Sequence, residues 1–241
     1  MESKIGILGG MGPEATVYLF HLIIKLTDAP KDQDHIPIII YSNPKVPHRT
    51  DAILKNGKSP LPGLIRGAKI LEKAGADFIV MPCITAHYFY SEIINHLKIP
   101  FLHLVEETYK YVREKFPHLK RLGLLATTGT IKTGLFQSYF EKEKIEIISP
   151  EKGNQNLVMK AIYDPKGIKA GYTQGFPKEL LLEVAKDLIG KKCQAIIAGC
   201  TEVSLALKEK DLPVSLIEPL EIIARVSIIH AGYKIKRTTF E

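Results

Sequence analysis

The sequence predicts an α/β fold made of two pseudo-symmetric, open parallel-sheet domains with a functional cleft between them. Three observations carry that expectation. Short apolar runs alternate with amphipathic stretches along the whole chain, the pattern of parallel strands joined by helical crossovers. A single offset of 117 residues lays Gly6 on Gly123, Leu8 on Leu125, Gly12 on Gly129 and Ile79 on Ile196, so the chain reads as one module written twice. The same offset lays Cys83 on Cys200, and each cysteine closes an apolar run, Phe78-Ile-Val-Met-Pro in one half and Ala195-Ile-Ile-Ala-Gly in the other.

Taken in order, strands are expected at 4–8, 36–42, 77–81 and 101–105 in the first half, with helices at 14–27, 60–74 and 86–97. In the second half strands are expected at 121–126, 146–149, 195–198 and 214–217, with helices at 132–142, 155–162, 178–190 and 202–208. A last helix covers 219–233 and returns to the first half. Residues 1–103 plus 216–241 then form a first domain carrying Cys83, and 104–215 a second carrying Cys200. Ligands of open α/β sheets bind beyond the carboxyl ends of the strands. Both cysteines, the loop 9–13, the loop 42–50 and the loop 127–130 all occupy such ends.

At 241 residues, 45% hydrophobic and 24% charged, the chain has the composition of an ordinary globular protein with a sizeable core. No apolar stretch is long enough for a membrane span, and no signal-peptide layout opens the chain. The net charge of +7, from 33 Lys+Arg against 26 Asp+Glu, is dispersed rather than gathered into a basic stripe with aromatics, which argues against nucleic acid. Three cysteines without a CxxC pair suit free thiols in a reducing cytoplasm better than a disulfide scaffold.

Cys83 and Cys200 lead the candidates. A thiolate, not a thiol, is the base, and a cysteine at a helix start feels unpaired N–H groups that favour the anion. Helices expected to begin near Thr85 and Thr201 give both cysteines that context. A lone free cysteine usually behaves as a small buried hydrophobe, and Cys193 is read that way. Two thiols at symmetric strand ends on opposite walls of one cleft are instead what cofactor-free inversion at carbon requires.

Around them, Gly9-Gly-Met-Gly-Pro13 sits where a dinucleotide fingerprint would lie but lacks the GxGxxG spacing. It reads as a backbone cradle for a carboxylate, as a turn needing glycine, or as both. Ala126-Thr-Thr-Gly-Thr130 offers three hydroxyls at the equivalent turn, for a second carboxylate or for plain N-capping. Arg49 is a candidate bidentate carboxylate clamp, and Lys169 a weaker basic candidate. His87, four residues after Cys83, invites a metal reading, but zinc would need Cys200 or Glu202 from far along the chain, and the site is read as metal-free. Glu202 lies in a first helical turn, where the dipole alone accounts for a carboxylate.

These residues together resemble the aspartate/glutamate racemase superfamily, and within it the aspartate racemase branch. The resemblance runs over nearly the whole chain, through Gly6-Ile-Leu-Gly-Gly-Met-Gly-Pro13, Ser42-Asn-Pro with Arg49, and Pro82-Cys-Ile-Thr-Ala-His87. It continues in Leu124-Leu-Ala-Thr-Thr-Gly-Thr130, Gly167-Ile-Lys-Ala-Gly171 and Gly199-Cys-Thr-Glu202. It implies a racemase without pyridoxal phosphate or any other cofactor, acting on an amino acid and assembled as a homodimer. Carried over by position, Cys83 and Cys200 match the paired acid/base cysteines, and Arg49 and Lys169 match basic substrate-binding residues. Met11, Gly12, Thr85, Thr127, Thr128, Thr130 and Thr201 match the carboxylate-binding loops. One position departs: Ile84 stands where the family commonly has asparagine. Loss of a hydrogen bond to a charged group weakens binding by about 1.5–3 kcal/mol, so the departure bears on substrate identity more than on reaction type.

The resulting expectation is stereoinversion at an amino-acid α-carbon, aspartate first, then glutamate or a broader set. One cysteine removes the α-proton and the other delivers a proton to the opposite face. Alternatives are a hydantoin racemase, maleate isomerase or decarboxylase of the same superfamily, a non-catalytic amino-acid-binding protein, and a redox protein with a Cys83–Cys200 disulfide.

Overall fold

The structure, a computed structural model, describes residues 3–236. Its first sheet holds β1 (Ile5–Gly9), β2 (Ile38–Ser42) and β3 (Phe78–Val80), all parallel, in the order β2-β1-β3. The second holds β4 (Arg121–Leu125), β5 (Glu146–Ile148), β6 (Ala195–Ala198) and β7 (Ser215–Ile217), also parallel, in the order β5-β4-β6-β7. In chain order the α-helices are α1 (Pro13–Leu26), α2 (Arg49–Leu54), α3 (Leu61–Lys73), α4 (Tyr90–Ile94), α5 (Leu104–Lys115) and α6 (Thr128–Lys132). They continue with α7 (Gln137–Phe140), α8 (Lys152–Tyr163), α9 (Phe176–Gly190), α10 (Thr201–Ala206) and α11 (Pro219–His230). Among the described residues no helix is long and apolar enough to cross a membrane.

The repeat seen in the sequence is a repeat of strand pairing. Ile5 pairs with Phe78, and Leu122 with Ala195, so both central pairs obey the 117-residue offset. The outer strands do not: Ile5 pairs with Ile38, whereas Leu122 pairs with Ile147. Duplication is therefore retained where the cysteines hang and relaxed at the edge.

Strand alternation sorts the core into layers. Ile5, Ile7, Phe78 and Val80 of the first sheet join Leu122, Leu124, Ala195 and Ile197 of the second in one buried cluster. Leu8, Ile79 and Met81 face an outer layer with Leu64, Ala68 and Leu71 of α3. Leu125, Ile196 and Ala198 face another with Leu181, Val184 and Leu188 of α9. The shared middle layer, sealed by α1, α5 and α11, ties the two sheets together. At roughly 1.5–3 kcal/mol per fully buried large apolar side chain, this layer opposes any large separation of the halves. Gly6 lets α3 and the turn after it lie close on the sheet, since a Cβ there would stand 3.3 Å from that of Leu71 on α3 and 2.9 Å from that of Ala76 in the turn. Gly123 does the same for α9 against Ile196 and Leu188.

Three expectations are corrected and one helix is added. The run 101–105 is not a strand: Phe101 makes a single bridge to Ile79, and α5 begins at Leu104. His103 caps that helix by accepting from the Glu106 N–H, Glu106 and Glu107 suit its first turn, and Leu104, Val105, Thr108 and Val112 form its buried stripe. The expected helix 86–97 is a 3₁₀ segment, Ile84–Phe89, followed by the short α4. The expected helix 132–142 is split into α6 and α7, with Gly134 between them at φ +64°. Helix α2, hidden in a loop-like segment rich in proline, was not expected; the His48 side chain caps it.

Candidate active site

Each cysteine is the last residue before a helical turn beyond a carboxyl strand end. Cys83 follows β3 and caps the 3₁₀ segment Ile84–Phe89; Cys200 follows β6 and caps α10. Both are buried free thiols, 6% and 5% exposed, and both line one cavity of about 280 Å³ of empty space, mouth included. Among the expected site residues, Met11, Arg49, Thr85, Thr127, Lys169 and Thr201 line the same space, with Ile84 beside them. Gly12 lies alongside: a Cβ there would stand 3.6 Å from both Glu202 Oε1 and Lys169 Nζ.

The hydroxyls of Thr85, Thr127 and Thr130 form a closed triangle, with separations of 3.0, 2.9 and 3.2 Å. Thr130 is fully buried behind the wall, and its N–H donates to Thr127 Oγ1, the cap of α6. Thr128 is turned away from the lining set: its Oγ1 accepts from Gln155 Nε2 at 3.1 Å. The glycine loop is needed first as a turn. Gly10 has φ +93°, a Cβ on it would reach 2.3 Å from the Asn43 backbone, and its N–H donates to Thr16 Oγ1.

Arg49 is spent largely on architecture. Its guanidinium donates to the carbonyls of Val46, Pro47 and Met11 at 3.2, 3.0 and 3.2 Å, fastening the glycine loop to the start of α2. Arg49 lines the cavity, and its buried Nε has no hydrogen-bond partner among the described residues. Lys169, on the short turn Ile168–Ala170, pairs with Glu202 Oε1 and stands 5.7 Å over the Tyr163 ring.

Glu202 is the residue whose importance the sequence reading missed. It is 4% exposed, and its second carboxylate oxygen accepts from Cys200 Sγ at 2.9 Å and Thr201 Oγ1 at 3.1 Å. Burial alone would raise its pKa, but the Lys169 charge and the hydrogen bonds from Cys200 and Lys169 hold it below the usual carboxylate range. Burial by itself pulls the Lys169 pKa down, yet Glu202 and Cys200 together outweigh it and hold the ammonium above the ordinary lysine value. Burial first, then the Glu202 carboxylate, push the Cys200 thiol well above the ordinary cysteine value, against the partial relief of Lys169. The helix-end effect expected to favour the thiolate is thus overridden at Cys200. Tyr163 closes the site at the end of α8 as a neutral phenol, its pKa raised by burial and by the nearby Cys200 and Glu202. Neither Tyr163 nor Thr50, also on the lining, carried a sequence signal beyond its nearness to Lys169 or Arg49.

His87 stands behind Cys83. Burial drops its pKa to about 3, so the ring is neutral; Nδ1 lies 3.1 Å from the Cys83 carbonyl, and Nε2 accepts from the Leu104 N–H at 3.2 Å. The Nδ1–H tautomer satisfies both contacts. His87 therefore ties the cysteine turn to the start of α5, a role in the frame rather than in the cleft.

Known proteins place this arrangement in context. A profile described as Asp/Glu/Hydantoin racemase matches residues 8–226. The broad specificity amino-acid racemase RacX of Bacillus subtilis is 32% identical over 231 residues, 93% of this chain and 96% of that relative. The structure of Picrophilus torridus aspartate racemase superposes with a TM-score of 0.88 at 31% identity, covering 97% of this chain and 96% of that one. A glutamate racemase from Francisella tularensis in complex with D-glutamate shares the fold, with a TM-score of 0.72 at 18% identity over 98% of this chain and 85% of that one.

Proposed function

The chain belongs to the Asp/Glu/hydantoin racemase family, and from that premise we propose that it inverts an amino-acid α-carbon with Cys83 and Cys200 as a two-base pair and no cofactor. The single observation carrying the reading is that two free cysteines at pseudo-symmetric strand ends line one narrow cavity. Cysteine is suited to the task because thiol and thiolate interconvert close to neutral pH, so one can enter as base and the other as acid.

In this reading one thiolate takes the α-hydrogen as a proton, the C–H electron pair stays on Cα, and the opposite thiol protonates the other face. The hydroxyls of Thr85, Thr127 and Thr201 turn from one another and from Glu202 to donate to the substrate carboxylates, and Arg49 adds its guanidinium charge to the field that meets the developing negative charge. Aspartate is the first candidate substrate, in line with the Picrophilus structure, and the apolar Ile84 together with the broad-specificity Bacillus relative supports a set extending to neutral side chains. Residues 1–103 with 216–241 and residues 104–215 are the two domains of this proposal, and a cytoplasmic homodimer its assembly.

Proton NMR of the α-hydrogen in D₂O, without pyridoxal phosphate, tests the reading on L- and D-aspartate, glutamate and neutral amino acids. Loss of the α-proton signal with inversion is the expected result and names the substrate. No exchange with any amino acid contradicts it and turns the search to hydantoins and dicarboxylates.

A further inference from the structure

The pseudo-symmetry stops at the proton. Cys200 has a carboxylate two residues away that accepts from its Sγ at 2.9 Å, while among the described residues no second carboxylate lines the cavity for Cys83. At the matching position, 117 residues earlier, Glu202 corresponds to Thr85, a hydroxyl already shared with Thr127 and Thr130.

Resting on the two-cysteine reading, we infer that Glu202 is a positioning residue that holds Cys200 as the thiol, the acid of the resting pair, and thereby leaves Cys83 as its base. A carboxylate accepts a hydrogen bond from S–H but repels a thiolate, so the contact is lost and replaced by repulsion when Cys200 ionises. Glu202 stays ionised for the purpose because Lys169 pairs with its other oxygen. The groups facing this pair are Lys169 from the turn Ile168–Ala170, Tyr163 from the end of α8, Thr201 on α10, Cys83 and Arg49 across the cavity, and His48 against Tyr163 at the rim. Lys169 is the cation in direct contact with Glu202, and it is shared with Cys200 rather than dedicated to it.

In the step so ordered, the Cys83 thiolate forms an S–H bond with the α-proton, and the C–H electron pair remains on Cα. Cα then takes the Cys200 proton on its other face, and the S–H electron pair stays on Cys200 as thiolate. One proton leaves the substrate and one returns. The new Cys200 thiolate faces Glu202 with Lys169 alongside, a state of higher energy than the resting one, which favours return of the proton.

The test reads Cys200 directly, in the full chain without substrate. With Cys83→Ala and Cys193→Ala, Cys200 is the remaining thiol, and the Cβ resonance of ¹³C-labelled cysteine reports its ionisation by NMR. The inference predicts a thiol signal persisting at about pH 8.5, the usual cysteine midpoint. Adding Glu202→Gln should lower the midpoint by about one pH unit or more, since repulsion goes and Lys169 is freed for the thiolate. An unmoved midpoint in folded Glu202→Gln protein overturns the inference. Should that variant fail to fold, a parent already half ionised at or below about pH 8.5 overturns it equally. The two readings fail separately: an unmoved midpoint in a chain that racemises sinks the inference alone, whereas absence of turnover on any amino acid removes the acid role together with the racemase reading.

Discussion

Thr85 Oγ1 lies 2.9 Å from Thr130 Oγ1, so a residue two positions past one cysteine is hydrogen-bonded to the helix α6 that follows β4 of the other sheet. With Thr127 completing the triangle, this contact ties the segment after Cys83 to the start of α6. Thr85→Val keeps the shape but removes a hydroxyl that serves two partners in a buried setting. The expected loss is about 1–3 kcal/mol of stability, measured by denaturant unfolding, with a larger fall in turnover than in a surface threonine control.

Gly129 sits where α6 meets α2. An added Cβ would stand 2.7 Å from Thr50 Oγ1 and 3.1 Å from Thr85 Cγ2. Gly129→Ala should therefore cost about 1–3 kcal/mol by overpacking and reduce turnover by displacing Thr85, whereas Gly153→Ala, with open space around it, should leave both unchanged.

Lys169→Met leaves the Glu202 carboxylate buried without its cation. Breaking a buried pair in this way costs about 3–5 kcal/mol, and chemical denaturation near neutral pH should show it. The loss should shrink in acid, where Glu202 can take up a proton instead.

Acid should also weaken the fold through two histidines. Burial holds His87 at about 3 and His103 at about 4, against about 6.5 in the unfolded chain. Between those values the unfolded state binds more protons, so stability falls as pH drops below about 6.5 and keeps falling until the folded rings titrate. Urea unfolding at pH 7 and pH 4.5 should differ by a few kcal/mol, on the order set by such linkage, and His87→Gln should flatten the slope.

What could be read before the structure follows from what each signal depends on. Strand ends and paired cysteines are legible because alternation and a fixed offset are properties of the chain itself. Apolar runs without context are ambiguous, which is why Phe101–Val105 looked like a strand until His103, Glu106 and the buried Val112 marked a helix. Glu202 was misjudged because a helix start already explains a carboxylate, and its partner Lys169 lies 33 residues away in sequence. The architectural share of Arg49 was hidden for the converse reason: its backbone partners exist only once the glycine loop has folded against it.

The most direct test of two opposed bases is a single-enantiomer experiment in D₂O with Cys200→Ala. The account predicts that the remaining Cys83 exchanges the α-hydrogen of one enantiomer for deuterium with retention, while inversion is abolished; Cys83→Ala should abolish inversion as well. Inversion at the parent rate in either variant would contradict it.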